Sequence, residues 1–125
     1  KKNEYLIIEG QGSLLNPGST ATLPLMRGSC PTALVLCHRL GLKVVESETK
    51  ILIPPLEQVI SLNEQLVKCL NSFPTAKVKA VALDTRDYDH TSAINEIIKM
   101  EDKLNLPVTD PVRFSAKKIA NALIY

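Results

Sequence analysis

The chain alternates between short, densely apolar runs and longer stretches whose apolar residues recur every three to four positions. Runs of the first kind are Glu4–Glu9, Ala33–His38, Lys77–Asp84 and Leu106–Thr109. Rich in Ile, Val, Leu and Ala, they predict strands covered on both faces, as in a parallel sheet. In the second kind, Leu56, Val59, Ile60, Leu66, Val67 and Leu70 share one face of a predicted helix that begins near Pro55. Asn71-Ser72-Phe73-Pro74 supplies its stop. Ala93, Ile94, Ile97, Ile98 and Leu104 mark another helix, with Asp89 or Thr91 placed to cap it. A last helix is expected after Ser115 and a short one within Ala21–Met26. This alternation predicts right-handed βαβ units and a three-layer α/β fold with a mainly parallel sheet.

Parallel strands share a direction, so their carboxyl ends share one edge, where open α/β sheets bind ligands. Each predicted strand ends there in a polar cluster: Glu9 and Gln11, then Cys37-His38-Arg39, then Asp84-Thr85-Arg86-Asp87, then Thr109-Asp110 with Arg113. Glu9 is the sharpest candidate, as a general base or as a carboxylate holding Mg²⁺ through water. Gly10 and Gly12, either side of Gln11, allow a sharp turn and a close backbone approach to a ligand. Ser13 and Ser19 in the same connection offer hydroxyls to an anion. His38 is a base near neutral pH or a hydrogen-bonded structural residue. Asp84 and Arg86 either bind a polar ligand or pair with each other. Asp110 precedes Pro111 and so reads also as a turn initiator.

Composition narrows the function classes. The 125 residues suggest one domain, and 15 basic against 13 acidic residues give +2, too balanced for a nucleic-acid surface. Aromatics make up 4% with no Trp, which leaves no base-stacking platform. No apolar run approaches the roughly 20 residues of a membrane span. Cys30, Cys37 and Cys69 are odd in number, lack zinc-site spacing, and read as reduced thiols in a cytoplasmic protein. The chain contains neither Gly-x-x-x-x-Gly-Lys-Ser/Thr nor Gly-x-Ser-x-Gly. With its first strand expected so near the start and no initiator Met, residues 1–125 are expected to be the carboxyl-terminal part of a larger protein.

Ile7-Ile8-Glu9-Gly10-Gln11-Gly12-Ser13-Leu14, Ala33–His38, Ile53-Pro54-Pro55-Leu56, Ala82-Leu83-Asp84-Thr85-Arg86 and Leu106–Arg113 occur in that order across nearly the whole chain. Together they resemble the carboxyl-terminal domain of a bacterial and archaeal family long catalogued as of unknown function, some of whose members are D-glutamate N-acetyltransferases. The resemblance implies a P-loop nucleoside-triphosphatase-like, nucleotide-binding α/β domain whose phosphate loop and partner domain lie upstream in the same protein. It is similar, more distantly, to dethiobiotin synthetases, whose Glu-Gly-Ala-Gly segment Glu9-Gly10-Gln11-Gly12 resembles. By that likeness Gly10–Ser13, Asp84-Thr85-Arg86 and Asp110-Pro111 would flank acetyl-CoA or ATP, with Mg²⁺ at Glu9. Asp84 departs from the pattern, where Asn is expected.

The implied activity is acetyl transfer from acetyl-CoA to a D-glutamate-like amine. Glu9 or His38 would take the ammonium proton, and Arg39, Arg86 or Arg113 would pair with substrate carboxylates. Two alternatives stay open: an ATP- and Mg²⁺-dependent carboxylate-activating enzyme, and a non-catalytic, degenerate nucleotide-binding scaffold. A homo-oligomer with a small-molecule substrate is expected, with neither nucleic acid nor membrane as a partner.

Overall fold

The computed structural model describes residues 5–10, 12–45 and 50–124. Among these, β1 (Ala33–Arg39), β2 (Lys77–Asp84) and β3 (Val108–Thr109) form a parallel sheet in the order β1-β2-β3. Four helices accompany it: α1 (Thr22–Gly28), α2 (Leu56–Lys68), α3 (His90–Leu104) and α4 (Lys117–Ile124). α2 links β1 to β2 and α3 links β2 to β3, which is the βαβ repeat expected from the periodicities.

The elements start and stop for local reasons. Asp89 caps α3, its carboxylate accepting from the Ser92 N–H at 3.0 Å and the Ser92 hydroxyl at 2.6 Å. Asn105 ends that helix in the left-handed region, with its N–H on the Glu101 carbonyl. β2 is the central strand, and Val78, Ala80, Val81 and Leu83 are buried in it. A register shift between Leu34 and Val35 gives β2 one extra residue, Lys79, which stays exposed like Lys77. Val81, Leu83, Ile97 and Val108 form the core, and Leu36, Leu40, Met100, Leu104, Leu106 and Phe114 close over it. The sheet and α3 therefore share one apolar interior.

Two expectations need correction. The run Glu4–Glu9 is not a strand over its described part: Tyr5–Gly10 take no regular form, and Tyr5, Leu6, Ile7 and Ile8 are 59%, 79%, 87% and 49% exposed. A both-faces-apolar strand needs neighbours for its backbone groups and its side chains, and no described segment offers them. Glu4 lies outside the described residues.

Helix α2 was expected to run to Leu70, but it stops at Lys68. Cys69, Leu70 and Asn71 then turn with φ of 42°, 57° and 69°. Leu70 is thrown out of the apolar face and is 93% exposed. A non-glycine residue in this region carries a strain of roughly 1–2 kcal/mol. Since the Leu70 side chain covers almost nothing, Leu70→Gly should raise stability by about 0.5–1 kcal/mol, net of glycine's extra unfolded-state freedom. A shift of the urea midpoint at constant m-value reads this. A downward shift would mean that the side chain is covered in solution.

Candidate functional site

The three strands deliver their carboxyl ends to one cleft of about 690 Å³. β1 contributes Cys37, His38 and Arg39; β2 and the turn after it contribute Ala82, Leu83, Asp84 and Arg86. The turn after β3 contributes Asp110, Pro111, Val112 and Arg113. Register accounts for the convergence, because His38 lies opposite Leu83 and Arg39 opposite Asp84. The rim expected from topology is thus present at the ends of all three described strands.

The charges on this rim are largely spent on one another. Arg86 Nε and Nη2 donate to Asp84 Oδ2 at 2.7 and 2.6 Å, and the Arg86 N–H donates to Asp84 Oδ1 at 3.1 Å. The Arg86 side chain holds the Asp84 carboxyl below its usual range. Arg39 Nε and Nη2 donate to Asp87 Oδ2 at 3.1 and 2.8 Å. Arg113 differs: its Nη1 donates to the Tyr88 carbonyl at 2.9 Å, and no carboxylate among the described residues pairs with it. Arg113 is the least neutralised of the three guanidinium groups.

Thr85 and Asp110 point inward. Thr85 is fully buried, and both its N–H (3.0 Å) and its hydroxyl (2.6 Å) donate to Asp110 Oδ2. Asp110 Oδ1 accepts from the N–H groups of Val112 and Arg113, each at 3.0 Å. Burial pushes the Asp110 carboxyl up, but the Thr85 hydroxyl and three N–H donors outweigh it and hold the group below the usual range.

His38 is half-buried, and desolvation lowers its pKa below the ordinary 6.5, which favours the neutral imidazole. Burial, and then the negative charge of Glu9, push the Cys37 thiol up. Glu9 itself is exposed and is not among the residues that line the cleft. Among the described residues no three of His, Cys, Asp and Glu converge as metal ligands.

The glycine-rich connection is closed up by the chain's own side chains. Gly12 has φ +103°, the sharp turn expected, and a Cβ there would strike the hydroxyls of Ser19 and Thr22. The Ser13 N–H donates to Ser19 Oγ at 3.2 Å, and Ser13 Oγ accepts from the Leu15 N–H at 3.1 Å. A Cβ on Gly10 would meet the Leu25 side chain of α1. The close approach that glycine permits is thus made to α1 and the turn before it. Gln11 lies outside the described residues.

Sequence reasoning missed Val112, which is 96% exposed on the cleft lip, and Tyr88, whose carbonyl anchors Arg113. No sequence signal marked Tyr88; in the structure Gly41 has φ +82°, and a Cβ there would lie 2.7 Å from the Tyr88 hydroxyl.

Residues 1–120 match the family described as "Domain of unknown function (DUF1611_C) P-loop domain". A D-glutamate N-acetyltransferase of Tritonibacter scottomollicae is 29% identical over 94% of the chain and 35% of its own length. One from a Pseudoalteromonas species is 34% identical over 90% of the chain and 34% of its own length. The crystal structure of a DUF1611 family protein from Anabaena variabilis superposes with a TM-score of 0.90 at 46% identity, covering 93% of this chain and 34% of that one. The chain thus spans about a third of the length of the relatives it matches. The three-layer, mainly parallel α/β fold of P-loop type holds, although the 125 residues carry no Gly-x-x-x-x-Gly-Lys-Ser/Thr. By sequence match and by fold, the chain belongs to the DUF1611 family, as its P-loop-type domain.

Proposed function

We propose that the cleft receives the amino-acid acceptor of an N-acetyl transfer, a D-glutamate-like molecule, with acetyl-CoA as donor. The observation that carries this reading is the pairing, on one rim, of a desolvated imidazole with the least neutralised guanidinium, His38 and Arg113. Relatives named D-glutamate N-acetyltransferase over nine-tenths of the chain support it.

Each group has a defined task. An amine is a nucleophile only after its ammonium form has lost a proton, and a neutral imidazole near physiological pH can accept it. His38 takes that role, with Glu9 the neighbouring alternative. Arg113 pairs with an acceptor carboxylate through its remaining N–H donors, a charge-assisted and directional contact. Arg39 joins only by exchanging Asp87 for substrate.

The donor's phosphates fit this chain poorly. Arg86 and Arg39 are already paired, and the Ser13 N–H is committed to Ser19. A polyanion needs uncompensated cations or a free nest of N–H groups, and with Arg113 given to the acceptor we assign the CoA diphosphate to the remainder of the protein. Acetyl-CoA supplies the activated acyl group; this chain holds the acceptor.

Incubating the full-length protein with D-glutamate and acetyl-CoA should release CoA thiol and yield N-acetyl-D-glutamate by mass spectrometry, with no need of ATP. Consumption of MgATP in a D-glutamate-dependent manner without acetyl-CoA would instead establish the carboxylate-activating reading. No acetyl transfer and no thermal stabilisation by any of these ligands would leave the scaffold reading.

A further inference from the structure

We infer that Asp110 is a positioning residue: it clamps the turn that carries Arg113 to the turn after β2, and so sets where the acceptor's carboxylate is received. The inference rests on the acceptor reading of this cleft and deepens it by naming what gives the anchor its place.

The contacts form a closed circuit. Asp110 Oδ2 accepts from the N–H and hydroxyl of Thr85, while Oδ1 accepts from the N–H groups of Val112 and Arg113. The Thr85 carbonyl accepts from the Tyr88 N–H at 3.0 Å, and the Tyr88 carbonyl accepts from Arg113 Nη1 at 2.9 Å. Arg113 is thus held at both ends, by its amide on Asp110 and by its guanidinium on Tyr88, and both holds lead back to Thr85. The Phe114 N–H on the Asp110 carbonyl, at 2.9 Å, closes the turn.

Burial makes the clamp stiff. Asp110 is 4% exposed and Thr85 is fully buried, so water does not compete for the two Thr85 donors, while the Val112 and Arg113 N–H groups are part-buried. With two donors on each oxygen, the carboxylate is turned to the chain and acts on substrate only through Arg113. A bidentate guanidinium contact depends strongly on direction, and misplacing a binding group by about 1 Å can cost up to about a hundredfold.

The test uses the full-length protein and three variants. Asp110→Asn keeps Oδ1 for Val112 and Arg113 but turns an NH₂ toward the two Thr85 donors. Thr85→Val removes only the hydroxyl, and Thr85→Ser restores it. We expect KM for D-glutamate to rise about tenfold in Asp110→Asn and about threefold in Thr85→Val, with Thr85→Ser near wild type. KM for acetyl-CoA should stay within about twofold, because donor binding does not use this anchor, so the loss is confined to kcat/KM for D-glutamate.

A loss of active protein at unchanged KM, or both KM values rising together, would show a purely structural role and overturn the inference. If Asp110→Asn fails to fold, the Thr85 pair decides by the same criteria. Wild type that neither acetylates D-glutamate nor binds it by calorimetry would overturn the acceptor reading itself, and this inference with it.

Discussion

Asp110→Ala costs about 3 kcal/mol of folding stability, within the range for removing the partner of several buried donors. The substitution strands the Thr85 N–H and hydroxyl where water is excluded, and takes the acceptor from the part-buried Val112 and Arg113 N–H groups. Urea denaturation of the full-length protein reads it, and a change below about 1 kcal/mol would mean that the turns rearrange to satisfy those donors. The pH dependence carries the same signature. The folded carboxyl is held below its ordinary 3.8, so the unfolded chain takes up the proton first as pH falls. Its contribution is complete above that ordinary value and is lost as pH drops through the folded one. Stability of the Ala variant should therefore fall less steeply than wild type on the acid side of about pH 4.

His38→Ala is expected to lower kcat/KM for acetyl transfer by a factor of about 10²–10⁴, the usual worth of a positioned base. Because desolvation favours the neutral ring, the wild-type rate should rise with pH through an inflection below 6.5. That inflection should vanish in the variant. Linkage runs in the same direction: the unfolded imidazole binds a proton more readily, so stability is full above 6.5 and falls as pH drops toward the folded pKa. A variant within about threefold of wild type would transfer the proton-accepting role to Glu9, where Glu9→Gln should then produce the larger loss.

The order of elements was legible because burial imposes a period. The apolar faces of α2 and α3, the Asp89 cap and the three described strands all follow from spacing and end chemistry. The rim followed too, since direction alone brings His38, Asp84 and Asp110 together. What could not be read was where each polar group spends its bonds. Thr85 looked like a rim residue and is buried; Ser13 looked available and serves its own turn. Such pairings join positions far apart in the chain, and no local pattern encodes them. The isolated antiparallel bridge between Val44 and Leu52, among the described residues, escaped for a related reason, since one bridge leaves no alternation to detect. Tyr5–Ile8 failed differently: its composition satisfies the rule for a covered strand, but coverage has to come from elsewhere.

The firm support of one wall of the cleft sets what that wall can do. On one side, Thr85 and Asp110 lock a wall to the central strand, as a vice jaw is bolted to a bench. Glu9 stands outside that cleft lining, on a stretch whose Gly10 lies against Leu25 and which leads into the Ser13 turn. Geometry that must be accurate to fractions of an ångström belongs to the fixed jaw.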